Sequence, residues 1–205
     1  MTIRFHKNDL PNLDHYNVDA VAIDTETLGL NPHRDRLCVV QISPGDGSAD
    51  VIQIAKGQKE APNLVKILEN SKITKLFHFG RFDLAVLYNA FGAMPEPVFC
   101  TKIASRLTRT YTDRHGLKDI CSELLGVSLS KVQQSSDWAA ETLTPEQLEY
   151  AASDVLYLHR LRDVLKTRLA REDREKEAEA CFRFLPTRSK LDLMGWEETD
   201  IFAHS

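Results

Sequence analysis

Short runs of apolar residues separated by turn residues dominate the first hundred positions. Runs rich in Val, Ile and Leu that are bounded by Gly, Pro, Asn or Asp predict buried strands. The segment Ser43–Gly47 has hairpin-turn chemistry, which favours antiparallel pairing of the strands on either side of it. The predicted strands are Val21–Asp24, Leu37–Ile42, Asp50–Ile54 and Ile73–Phe77.

Helical spacing of apolar residues appears between the strands and dominates after Gly116. Thr144-Pro145-Glu146-Gln147 forms a capping box with proline at the first helical position, and it predicts a long helix through Leu169. The charged run 171–177 is typical of the solvated side of a helix. The other predicted helices are Asn63–Leu68, Phe82–Phe91, Thr101–Leu107 and Leu117–Leu125. This order predicts an α/β or α+β domain in three layers, with a mixed central sheet flanked by helices and a helical C-terminal half.

Composition narrows the function classes. The chain has 205 residues, is 42% hydrophobic and carries a net charge of −4, so its overall field does not favour gripping long nucleic acid. No apolar run approaches the ~18 residues of a membrane span, and the N-terminus lacks the apolar segment of a secretory signal. Four scattered cysteines without a C-x-x-C pair favour reduced thiols in a cytoplasm over a zinc site.

Acidic residues recur at positions where secondary structure would aim them together. Asp24 and Glu26 are two apart at the end of a predicted strand, so both point to one face. Asp83 lies at the start of a predicted helix, and Tyr150 and Asp154 are four apart on a later one.

Each of these signals has an ordinary explanation. The first pair would also suit a turn with two solvated acids, and Asp83 would suit a helix-capping residue. Tyr150 and Asp154 would suit a hydrogen bond in the core of the domain.

Taken in order along the chain, the three signals resemble the tyrosine-containing branch of the DEDD exonuclease superfamily, which includes ribonuclease D. The strings VAIDTETLGL and YAASDVLYLHRLRDVL carry the resemblance, which covers roughly residues 18–170. The whole chain further resembles the nanoRNase C family of compact diribonucleases. These resemblances imply one ribonuclease H-like exonuclease domain over residues 1–185, followed by a C-terminal extension, 186–205, that docks on its own or a neighbouring subunit.

The resemblance also implies a two-metal mechanism of phosphodiester hydrolysis. Two divalent ions, Mg²⁺ or Mn²⁺, take oxygen ligands such as carboxylates. Asp24, Glu26 and Asp154 would hold the first ion, and Asp24 would bridge to a second one that Asp83 reaches through water. Tyr150 would orient the attacking water, and a nucleoside 5′-monophosphate would leave from the 3′ end.

Substrate contacts are expected around these acids. By the resemblance, Leu30 would wedge between two bases, although an ordinary core leucine is the alternative. Phe79 stands near the place of an asparagine in many relatives, so a polar substrate contact is either missing in this chain or replaced by base stacking. Arg81 could touch substrate or pair with a surface acid. The candidate substrate-binding residues are Thr27, Leu30, His78, Phe79, Arg81, Arg109 and Arg114.

The segment 102–118 holds five cations and one anion, a net charge of +4 in an acidic chain. Arginine forks match phosphate geometry, so this segment is a candidate cap for a 5′-phosphate. A solvated helix and loop would explain the same composition.

The leading hypothesis is a 3′-5′ exoribonuclease that acts on diribonucleotides, including linear pGpG, and on other very short RNAs. A nuclease that trims longer RNA or DNA 3′ ends is the alternative within enzymes, and an inactive nucleotide-binding scaffold is the alternative outside them. The resemblance adds a homo-oligomer, an octamer in that family. The cysteine usage and the lack of a signal or apolar span predict a cytoplasmic protein without a membrane partner.

Overall fold

A six-stranded mixed sheet forms the centre of the computed structural model, which describes residues 2–130, 132–133 and 135–204. The strands are β1 (Thr2–Lys7), β2 (Ala20–Thr27), β3 (Leu37–Ser43), β4 (Ser48–Gln53), β5 (Thr74–Phe77) and β6 (Val98–Cys100), in the order β1-β4-β3-β2-β5-β6. The meander β2–β3–β4 is antiparallel, as predicted, whereas the outer strands join it in parallel.

Helices cover both faces of this sheet. They are α1 (Pro62–Leu68), α2 (Gly80–Phe91), α3 (Thr101–Thr108), α4 (Leu117–Leu125), α5 (Pro145–Leu156), α6 (Leu158–Arg171) and α7 (Glu175–Leu191). Helix α5 packs on the face to which Asp24 points, and α2 packs on the opposite face, where Thr25 meets Asp83. The predicted three-layer α/β fold class is therefore confirmed.

Two edge strands, β1 and β6, have no counterpart among the predicted strands. In β1, Arg4 and His6 alternate with apolar residues, so the segment lacks a continuous apolar run. Tertiary contacts make it a strand, because Arg4, His6 and Tyr16 all bind the buried carboxylate of Asp50 on β4. Strand β6 has only three residues, so it is too short to show the alternation of apolar and polar residues that marks a strand.

The single long helix predicted from Thr144 to Leu169 is wrong in one respect. The capping box is present, but the helix is interrupted at Tyr157, which separates α5 from α6. Helix α5 packs on β2, β3 and β4, whereas α6 packs chiefly on α3. The two helices thus bury their apolar faces against different elements, and the apolar periodicity of the sequence does not reveal this difference.

The charged run 171–177 also differs from the single helical face that was predicted. It spans the end of α6, a turn in which Asp173 takes a positive φ of 52°, and the beginning of α7. Helix α7 then continues without a break across residue 185, the expected limit of the exonuclease domain.

Two arginines hold the segment after α7 against α2. Asp192 is buried and accepts paired hydrogen bonds from Arg81, at 2.6 and 2.8 Å, and from Arg188, at 2.8 and 3.1 Å. Both guanidinium groups also donate to carbonyl oxygens further along, those of Trp196 and Glu197 among them. One carboxylate therefore anchors the C-terminal segment to the start of α2.

Replacing this carboxylate should cost measurable stability. Asp192→Ala is expected to lower the free energy of unfolding by about 2 kcal/mol, because it leaves two part-buried guanidinium groups without their acceptor. Chemical denaturation monitored by circular dichroism measures the loss. Asp163→Ala is the matched control, since that carboxylate is exposed beside Arg162 and should change stability by less than ~0.5 kcal/mol. Equal effects in the two variants would contradict the anchoring role.

Candidate active site

Three carboxylates converge at the end of β2. Asp24 and Glu26 project from the same face of the strand, and Asp154 reaches them from α5. One oxygen from each of the three lies within 4.8 Å of the others. The structure therefore brings together the strand pair and the late-helix acid that are far apart in sequence.

Asp83 approaches this group from the other side of the sheet. It lies in the first turn of α2 and is buried, and its Oδ1 accepts a hydrogen bond of 2.6 Å from the Thr25 hydroxyl. Its charge is close enough to raise the pKa of Asp24, although it does not belong to the tight group of three. Its placement suits a second, adjoining ion position.

Burial raises the pKa values of all four acids and is the largest cause in each case. Repulsion from neighbouring carboxylates adds to the rise at Asp24, Glu26 and Asp154. The pKa of Glu26 rises to about 9 and those of Asp83 and Asp154 to about 7, while that of Asp24 rises well above its ordinary value. In the described part of the chain, no Lys or Arg forms an ion pair with any of them.

Such a site suits hard divalent cations. Buried carboxylates without a cationic partner are unstable together as anions, and a bound dication removes both the repulsion and the desolvation penalty. Carboxylate oxygen is the ligand that Mg²⁺ and Mn²⁺ prefer. Asp24, Glu26 and Asp154 could hold one ion, with Asp24 and Asp83 beside a second.

Tyr150 lies one helical turn before Asp154 on α5. Burial, followed by the charges of Asp154 and Glu26, raises the pKa of its phenol, so the side chain keeps its proton at neutral pH. Its ring packs against buried Trp138, with centroids 6.0 Å apart. The phenol is thus held as a hydrogen-bond group beside the carboxylates.

The loop after β2 presents an apolar side chain to solvent. Leu30 is 87% exposed, which rules out the core leucine that the sequence left open. The Thr27 hydroxyl donates to the Gly29 carbonyl, so its proton is engaged within the turn while its oxygen can still accept a hydrogen bond. Any side chain at Gly29 would collide with the Asp35 carboxylate, which also accepts from the Asn31 amide at 3.0 Å.

Phe79 forms a second apolar projection at the start of α2. It is 47% exposed and adopts the left-handed conformation, with φ 65°, which is uncommon outside glycine. The Lys102 ammonium lies 4.3 Å from its ring centroid. Next to it, His78 is held by a 2.9 Å hydrogen bond to Thr101, and burial lowers its pKa to about 3, so it is neutral.

The three arginines predicted to touch substrate are engaged with acids in this chain. Arg81 pairs with an acid, as the alternative held, but this acid is Asp192, which is buried and does not lie on the surface. Arg109 is buried and pairs with Glu123, and exposed Arg114 pairs with Asp119 at 2.7 Å. Their substrate roles stay predictions, and a phosphate at Arg109 or Arg114 would have to compete with these acids.

Sequence reasoning did not single out two neighbours of the carboxylates, Thr25 and Gln41. Thr25 lies between the two acids of the D-x-E motif and faces away from them, toward Asp83. Gln41 lies directly opposite Asp24 on β3. Predicting the register between β2 and β3 would have placed Gln41 beside Asp24. Threonine and glutamine are common residues, so neither one marks a functional site by its type alone.

Comparison with known proteins identifies the family. Residues 11–170 match the family model described as 3′-5′ exonuclease. The chain belongs to this 3′-5′ exonuclease family. Ribonuclease D of Acidiphilium cryptum is 35% identical over 154 residues, which are 75% of this chain but only 39% of that protein. The chain therefore spans about two fifths of the length of the curated relatives it matches.

Solved structures of the exonuclease family extend the likeness to the whole chain. Brucella melitensis NrnC with bound Mg²⁺ is 80% identical, with a TM-score of 0.97 and full coverage of both chains. The same protein bound to pGG gives a TM-score of 0.98. Escherichia coli RNase D is 30% identical, with a TM-score of 0.75, and the match covers 84% of this chain and 45% of that one. The resemblance inferred from the motifs is confirmed.

A separate structural finding concerns membranes. Over the described residues, none of the helices combines the length and apolar character required to span a bilayer.

The raised pKa values predict how stability depends on pH. The folded metal-free protein holds protons that an unfolded chain, with carboxyl pKa values near about 4, releases. Stability from these groups is therefore present at low pH and lost as the pH rises through about 7 and about 9, the folded values. Thermal unfolding in EDTA should show a melting temperature that falls between about pH 5 and about pH 9.

Two variants and added Mg²⁺ provide controls for the thermal unfolding experiment. Asp154→Asn should flatten the fall by removing one of the mutually repelling charges, whereas Asp163→Asn, on the exposed side of α6, should leave it unchanged. Excess Mg²⁺ should raise the melting temperature most at the alkaline end, where the carboxylates are ionised. A metal-free melting temperature that rises over the same range would contradict the electrostatic description of the site.

Proposed function

We propose that this protein is a metal-dependent 3′-5′ exoribonuclease that hydrolyses dinucleotides and very short RNAs to nucleoside 5′-monophosphates. The group of Asp24, Glu26 and Asp154, with Asp83 beside it, is the observation that carries the proposal. The full-length likeness to NrnC bound to pGG supports the choice of a dinucleotide, pGpG included, over a long substrate. The net charge of −4 supports the same choice, because long RNA rewards many phosphate contacts.

The chain's own groups have distinct parts in this reaction. Bound divalent ions would acidify a water and neutralise the charge that develops on the phosphate. The carboxylates of Asp24, Glu26 and Asp154 would hold one divalent ion, and those of Asp24 and Asp83 would hold the second. Tyr150 is protonated, so its phenol donates a hydrogen bond that orients the attacking water or a phosphate oxygen.

Apolar and cationic groups around the carboxylates suit the rest of a short RNA. Leu30 and Phe79 offer exposed apolar surfaces on which bases can stack. Lys102 and Arg106 are four residues apart on α3, so they lie on the same side of the helix. The charge of Arg106 helps to lower the pKa of Lys102. This pair lies on the basic segment proposed to receive a 5′-phosphate, and no ion pair engages it within the described residues.

The proposal extends to assembly and location. Met194, Trp196, Ile201 and Phe202 leave apolar surface exposed in the C-terminal segment, which the structure describes as far as residue 204. The ring of Phe202 lies 5.6 Å from that of Phe184 on α7, so part of the segment docks on its own subunit. We propose that the remaining surface packs in a homo-oligomer, an octamer by resemblance, and that the enzyme acts in the cytoplasm, where its RNA substrates occur.

Substrate length is the decisive test of the proposed function. Initial rates on 5′-phosphorylated RNAs of two to about twenty nucleotides, with Mg²⁺ or Mn²⁺, should fall steeply beyond the shortest substrates, because a basic segment that binds the 5′-phosphate would fit only a short chain. Asp24→Asn should reduce kcat at least about a thousandfold, since it removes an ion ligand worth several kcal/mol in the transition state.

Each other outcome has a definite meaning. Equal rates at every length would replace the proposal by a nuclease that trims longer 3′ ends. Absence of turnover with both metals, together with unchanged dinucleotide affinity in Asp24→Asn, would point to a nucleotide-binding scaffold.

Base stacking on Leu30 can be tested against its neighbour. Leu30→Ala should raise KM for a dinucleotide about tenfold, because covering an exposed leucine side chain with a base removes apolar surface worth ~1.5–3 kcal/mol from water. Leu28, 54% exposed on the same loop, provides the control, and Leu28→Ala should change KM less than about twofold. Steady-state kinetics on pGG measure both, and similar KM values for the two variants would contradict the stacking role.

A further inference from the structure

Gln41 occupies a central place beneath the carboxylates. It lies on β3 directly opposite Asp24 on β2, and residues directly opposite one another in an antiparallel pair project on the same face. That face is covered by α5, which carries Tyr150 and Asp154. The side chain is fully buried between the sheet and this helix.

The amide of Gln41 has no structural partner of its own. Neither its nitrogen nor its oxygen makes a hydrogen bond with good geometry to the described residues, although both are buried. A buried amide without partners costs free energy comparable to a lost hydrogen bond, so an apolar residue would suit the metal-free fold better. Other buried polar side chains nearby do have partners, for example Thr25 with Asp83 and Ser43 with the Ser48 carbonyl.

The chemistry around this amide indicates what it can do. Glu26 is its diagonal neighbour on the same face of β2, two residues beyond Asp24, and a side chain as long as glutamine can reach that far. A carboxylate only accepts hydrogen bonds, so the amide NH₂ must face it and the amide oxygen must face away. Lysine or arginine at this position would compete with a divalent ion for the carboxylates, and glutamate would add a fifth negative charge. A neutral donor orients the ligands without either effect.

We propose that Gln41 is a positioning residue, whose amide fixes the orientation of the Glu26 carboxylate for a divalent ion and whose oxygen is left to accept from a water in the site. The inference rests on the metal dependence in the proposed function, and it adds a residue outside the four acids and the tyrosine. Outer groups that orient ligating carboxylates typically contribute 10–100-fold to metal affinity or activity.

The test measures Mn²⁺ binding without RNA. Gln41→Met keeps an unbranched side chain but removes the amide, and Mn²⁺ titration followed by electron paramagnetic resonance should show at least tenfold weaker binding. The melting temperature in EDTA should stay the same or rise, because an unpartnered buried amide is lost. At saturating Mn²⁺, kcat on pGG should fall while KM stays within about twofold of wild type.

Val39→Ala is the matched control. Val39 is buried on the same face of β3, directly opposite Glu26, and its truncation loosens packing beside the ligands while keeping the amide. This variant should lower the melting temperature and leave Mn²⁺ affinity within about twofold of wild type. Equal losses of Mn²⁺ affinity in the two variants would assign the effect to packing and overturn the proposal.

The remaining outcomes also decide the matter. Mn²⁺ affinity within about threefold of wild type in Gln41→Met overturns the positioning role, and so does a variant that is strongly destabilised or does not fold. Wild-type protein that binds Mn²⁺ but leaves pGG intact would refute the proposed function alone, because the Gln41 comparison needs no substrate. Wild-type protein that binds no Mn²⁺ would overturn both.

Discussion

Four carboxyl groups from three elements meet at the end of β2, and their repulsion is the constraint on which the site depends. Anions buried this closely would separate if they were free to move, so the backbone must hold them. Asp24 and Glu26 are fixed by β2, which pairs with β3 at both residues and with β5 earlier in the strand. Asp83 and Asp154 are fixed by helices packed on opposite faces. The stability of the sheet and its two covering helices thus maintains a site that is unfavourable without metal.

The distribution of cations follows from the same constraint. Arginines that lie near the site in sequence are directed to other acids, Arg81 to Asp192 and Arg109 to Glu123. These pairs anchor the C-terminal segment and the loop after α3, and they leave the four carboxylates to a divalent ion. An arginine among the acids would have relieved their repulsion but would also have occupied the ion positions.

The side chains exposed around the four carboxylates are apolar or cationic. Leu30 on the loop after β2 and Phe79 before α2 are both exposed, and the Lys102 ammonium on α3 lies 4.3 Å from the Phe79 ring centroid. Under the proposed function, the carboxylates, the exposed apolar groups and the separate cationic group would correspond to the metal ions, the bases and the phosphate of a short nucleotide chain. The left-handed backbone at Phe79 is a local cost that the surrounding fold sustains at this edge.

The sequence by itself determined the chemistry of the site and most of the core. Long apolar runs and capping motifs are local signals, so the meander and the start of α5 could be anticipated. The grouping of Asp24, Glu26, Asp83, Tyr150 and Asp154 was expected only because the order of these motifs resembles a known family. Contacts distant in sequence were decided only by the tertiary structure. Strand β1 forms because its side chains bind Asp50. The helix breaks at Tyr157 because its two halves pack on different partners. Gln41 lies beside Asp24 because of the register between β2 and β3. Arginine is chemically able to bind a phosphate or an acid, and only folding brought Asp192 and Glu123 within reach of Arg81 and Arg109.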